Sequence, residues 1–63
     1  MTPEEIFLLR NKLKLTQLEL ATQLRVNYSV VSRWERGISR PSRLMLRKLE
    51  GLAKKAGAEV AHD

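Results

Sequence analysis

The chain has 63 residues, enough for one small domain with a marginal core that compact helix packing or a partner must supplement. Twelve Lys and Arg against seven Asp and Glu give a net charge of +5, which suits an acidic partner and equally an ordinary charged surface. The absence of cysteine excludes a disulfide framework or a thiolate metal site, and no apolar run approaches the ~20 residues of a membrane-spanning helix.

Thr2-Pro3-Glu4-Glu5 predicts a helix start, with Thr2 as N-cap, Pro3 as first helical residue and Glu5 as the reciprocal partner of a capping box. Ile6, Leu9 and Leu13 follow at helical spacing and should face the core, while Arg10 falls on the edge of that face. Phe7 and Leu8 point off the stripe, either as partly covered surface or as a patch that meets another protein. Lys12 and Lys14 close the helix with charge that suits its dipole.

From Thr16 to Arg36 two short helical patterns lie about one turn apart. Thr16 and Glu19 form a second capping box, and Asn27 is suited to cap the next helix. Leu15 with Leu20, and Val26 with Val31, have the spacing of hydrophobic staples. Two capped helices this close must cross steeply, as in a helix-turn-helix, and Ala21 is small enough to permit the approach. In the second of them Val30, Val31 and Trp34 gather on one side, with Leu20, Leu24 and Val26 completing the buried set. Tyr28, Ser29, Ser32, Arg33 and Arg36 are left on the other side. Such a face suits base edges and phosphates in a DNA major groove.

Gly37 is well placed for positive φ past this helix, and Ile38-Ser39-Arg40-Pro41 reads as a loop. Arg40 and Arg43 could touch a phosphate backbone alongside Arg36. Ser42, or Pro41 as first residue, opens a last helix whose buried stripe is Met45, Leu46, Leu49, Leu52, Ala53 and Ala56. Leu44 lies off that stripe, Gly57 is the expected stop, and 58–63 is expected to be a short flexible tail. With no strand alternation, the chain is expected to be all-α with four helices. No catalytic constellation can be built. The single histidine is His62, and the carboxylates are spread over cap and surface positions. No glycine-rich phosphate loop or metal-ligand spacing occurs, so neither an enzyme nor a cofactor is expected.

Leu9-Arg10, Leu15-Thr16-Gln17, Glu19-Leu20-Ala21, Leu24, Val26, then Ser32-Arg33-Trp34-Glu35-Arg36-Gly37 and Pro41-Ser42 resemble the Xre/Cro repressor family of lambda-repressor-like helix-turn-helix domains. The resemblance covers roughly residues 6–53 and implies a compact bundle of four or five helices whose third enters the major groove. It places the domain at 1–57, with the helix-turn-helix at 16–36. It implies that Gln17 braces a phosphate and neighbouring side chains of the recognition helix, that Tyr28, Ser29 and Arg33 read bases with Ser32 as neighbour, and that Arg10 and Glu35 pair across the first and third helices. Two departures stand out. Arg25 occupies a turn position that usually holds Gly, and a longer fourth helix replaces the usual fifth, so the resemblance does not fix how monomers pair. The function implied is a sequence-specific DNA-binding transcriptional regulator, a repressor acting as a homodimer on a palindromic operator. The alternative is an antitoxin-like module that uses Phe7, Leu8 and Leu44 to hold a partner toxin. With a leading segment unlike a signal peptide, a bacterial or phage protein of the cytoplasm is expected.

Overall fold

The computed structural model describes residues 1–61, with side chains through residue 56. Among the described residues there are four helices and no strand: α1 (Pro3–Lys12), α2 (Gln17–Leu24), α3 (Tyr28–Glu35) and α4 (Arg43–Ala61). Helix starts are set by side chains. The Glu5 N–H donates to Thr2 Oγ1 at 3.1 Å while the Thr2 N–H donates to Glu5 Oε1 at 2.7 Å. Thr16 and Glu19 repeat the exchange at 3.0 and 2.8 Å, and the Met45 N–H donates to Ser42 Oγ at 3.3 Å.

Asn27 departs from expectation. It occupies the N-cap of α3 with extended φ and ψ, yet its side chain makes no cap bond. The third N–H of the helix, on Val30, is taken at 3.0 Å by the Asn27 carbonyl in a tightened first turn, so the donor a side chain would use is already satisfied.

Helix ends are set by the backbone. Lys14 (φ 59), Arg25 (φ 61) and Gly37 (φ 74) each turn left-handed at the end of a helix. In each case two N–H groups reach back, as Lys14 to the Asn11 carbonyl and Leu15 to that of Arg10, both at 3.0 Å. Arg25 and Val26 do the same to Thr22 and Ala21, and Gly37 and Ile38 to Trp34 and Arg33. These are Schellman closures, the geometry that suits glycine because it lacks a Cβ. Leu15 and Val26 thus close one helix and introduce the next. Both also pack on the core.

That core joins Ile6 and Leu9 of α1, Leu20, Ala21 and Leu24 of α2, Val31 and Trp34 of α3, and Leu49 of α4. Ala21 is wholly covered where α2 meets its neighbours, as its size requires. The most extensive contact between helices is that of α2 with α3. Gly57 does not end α4, which continues to Ala61. A glycine inside a helix costs only about 1 kcal/mol relative to alanine, which the strong helix formers Ala56 and Ala58 can offset. Of the tail expected over 58–63, residues 58–61 are therefore helical, and His62 and Asp63 lie outside the described residues. No described helix is long and apolar enough to cross a membrane.

Candidate nucleic-acid interface

Helix α3 is anchored by Val31 and Trp34, both buried, with Val30 half-covered beside them. Helical spacing then puts Tyr28, Ser29, Ser32, Arg33 and Arg36 on the opposite side. Tyr28 is 55% exposed, Arg33 and Arg36 are exposed, and Ser29 and Ser32 are half-buried along the flank. All five sequence-selected residues share this one surface. Arg40 and Arg43 are exposed on the loop and first turn that follow. Gly37 sets the direction of that loop, and the Ile38 N–H donates to the Arg33 carbonyl at 2.9 Å.

The far end of α3 is tied to α1 and α2 by one polar cluster. Arg10 Nε and Nη2 donate to Glu35 Oε2 and Oε1 at 2.7 and 3.0 Å, a two-point contact between α1 and α3. Arg10 Nη1 donates to the Leu15 carbonyl at 3.0 Å, and Gln17 Nε2 donates to Glu35 Oε1 at 3.1 Å. The guanidinium also lies over the Phe7 ring, 5.3 Å from its centroid. Side-chain exposure is 13% for Arg10 and 7% for Glu35, so both charges are largely withdrawn from water. Burial alone would raise the Glu35 pKa. The hydrogen bonds from Arg10 and Gln17, with the Arg10 charge, outweigh it and hold the carboxyl below its ordinary value. The same hydrogen bond, offset in part by burial, raises Arg10.

Sequence reasoning missed two parts of this cluster, the Leu15 carbonyl and the Phe7 ring, whereas the Gln17–Glu35 bond is the brace from Gln17 to the third helix that the resemblance implies. The signal for the two missed parts was Arg10 itself, a charge on an otherwise apolar stripe. Gln17 is half-buried at the first position of α2, and its amide has a second N–H with no partner among the described residues. That N–H is the group it can offer to an anion. Among the described residues Arg10 is the only Lys or Arg in an ion pair, so the positive charge of the α3 face and the following loop is uncompensated within the fold.

Phe7, Leu8 and Leu44 are 45%, 60% and 61% exposed, so none is absorbed into the core. Leu18 and Ile38, each 63% exposed, join them. Their sequence signal was available. Leu18 lies off the Leu20, Ala21, Leu24 stripe, and Ile38 follows the glycine that ends α3.

A family model described as helix-turn-helix matches residues 6–55, most of the chain. Comparison with curated proteins and with solved structures returns no match.

Proposed function

Since the chain belongs to the Xre/Cro family of lambda-repressor-like helix-turn-helix domains, DNA-binding transcription regulators, we propose that it acts as a repressor. In this reading a homodimer places α3 in the major groove at each half of a palindromic operator, with half-sites about one helical turn, ~34 Å, apart. The observation that carries it is the α3 face. A short helix anchored by Val31 and Trp34 presents an aromatic ring, two hydroxyls and two guanidinium groups that have no ion pair among the described residues.

Arg33 is assigned the two-point contact to guanine O6 and N7, worth roughly 1–3 kcal/mol of discrimination. Tyr28, Ser29 and Ser32 meet neighbouring base edges, with Tyr28 able to pack on a thymine methyl. Gln17, Arg36, Arg40 and Arg43 take phosphates, which supply most of the affinity and make it depend on salt. The action is binding, with no cofactor and no catalytic step.

Selection from a random duplex library, with the winners titrated at two salt concentrations, tests this reading. A palindromic winner bound at least ~10³ tighter than random DNA is expected. Uniform weak binding with a steep salt dependence would reduce the basic surface to a docking field and remove the operator.

The exposure of Phe7, Leu8 and Leu44 favours a second reading, an antitoxin-like module that neutralises a partner toxin and regulates its own promoter. It requires a stoichiometric protein complex that Leu8→Ser weakens while DNA binding persists.

A further inference from the structure

Where α1 ends, a cleft of about 470 Å³ opens between α1, α2 and α4. Leu13, Leu15 and Leu52 give it an apolar lining, and Lys12, Lys14 and Lys55 a cationic one. Among the described residues no carboxylate lines it, and neither α3 nor the loop of Arg40 contributes to it. The cleft is therefore distinct from the surface assigned to DNA.

Complementing a helix dipole accounts for part of this charge, since Lys12 and Lys14 stand at the C-terminal end of α1. It does not account for Lys55, which arrives from another helix. Nor does it account for the backbone of Lys14. This residue holds φ 59, a conformation that glycine adopts without strain and a side chain opposes. The bonds that close α1 are made by backbone atoms, so glycine would serve them equally well. A strained residue whose side chain lines a cleft points to a use for that side chain.

We propose that this cleft binds a small amphipathic anion, a short alkyl or aryl chain with a phosphate or carboxylate head. The chain lies on the three leucines and the head among the three ammonium groups. The volume falls within the range of about 300–1,000 Å³ typical of small-molecule sites, and an apolar lining with a few convergent charged groups is their usual composition. The inference does not depend on the operator reading.

The test is a titration of isotope-labelled protein with octyl phosphate below its micelle concentration, followed by amide chemical shifts. Inorganic phosphate and octyl glucoside serve as head-only and chain-only controls. Octyl phosphate should bind at least about tenfold tighter than either, with shifts at residues 12–15, 23 and 52–56. Lys55→Ala should weaken binding. Lys14→Gly should weaken it while raising Tm, a combination that a purely structural lysine would not produce. Equal binding of either control, shifts centred on α3, or unchanged affinity in Lys14→Gly would overturn the site. So would binding to anionic phospholipid vesicles with none to octyl phosphate, which would make the lysines a membrane-facing surface. The titration contains no DNA, so its failure and that of the operator selection are separate results.

Discussion

Of the three residues that close helices at positive φ, only Gly37 lacks the Cβ that makes the conformation costly. Arg25→Gly removes that strain but also loosens the unfolded chain, so a net stabilisation of up to ~1 kcal/mol is expected. It should appear as a higher urea midpoint at unchanged m. Gly37→Ala should cost about 1 kcal/mol for the reverse reason. A Cβ there would meet only Pro3 Cγ at 3.7 Å, an ordinary contact, so its cost is conformational rather than steric. A larger loss, above ~3 kcal/mol, would mean that the loop after α3 cannot adjust at all. The Arg25 position was marked through the family resemblance, whose turn usually holds Gly there, which left either a different turn or a strained one, and the backbone takes the strained one. Lys14 carried no such mark, since nothing in its side chain announces a left-handed backbone. At the binding surface Arg33→Ala should weaken operator binding and relax preference at one base of each half-site. Equal losses on operator and random DNA would instead assign Arg33 to phosphate.

At the scale of helices, starts and ends differ in what encodes them. Thr2 with Glu5, Thr16 with Glu19 and Ser42 open helices through their own side chains, and each was legible in the sequence. The ends rest on backbone bonds, which is why the left turn at Lys14 and the passage of α4 beyond Gly57 were not. The two helices of the motif therefore respond differently to the loss of a cap. Thr16→Ala breaks a side-chain bond and should cost about 1 kcal/mol. Asn27→Ala breaks none and should cost clearly less, as measured by urea denaturation of both variants. Comparable losses would place a cap bond at Asn27 in solution. The loop between α3 and α4 is expected to act through charge alone. Arg40→Ala and Arg43→Ala should each weaken binding to every sequence and reduce the salt slope by about 1. Unchanged slopes would take the loop out of the interface.

For the molecule as a whole, the Arg10–Glu35–Gln17 cluster ties three helices together at the end of α3, and so fixes how that helix is presented. Replacing Arg10 with Ala strands the Glu35 charge in a largely dry position, an expected cost of roughly 3–5 kcal/mol. That is a large share of the ~5–15 kcal/mol that stabilises a typical domain. Replacing both residues with apolar ones of similar volume should recover much of the loss, because the desolvation of both charges disappears with the pair. The cluster also gives stability a definite dependence on pH. The folded Glu35 carboxyl titrates below its ordinary value of 4.5, so the unfolded chain takes up this proton first as pH falls. Its stabilising contribution is complete above that ordinary value and is lost as pH drops through the lower, folded one. Glu35→Gln lacks this titration and leaves Arg10 without a counter-charge. It should be the less stable protein at neutral pH, with the gap to the parent closing in acid. Denaturant titrations of both proteins across the carboxylate range measure that gap. Curves that stay parallel would mean that Glu35 titrates alike in the folded and unfolded chain, and that the contact with Arg10 does not hold the helices in solution.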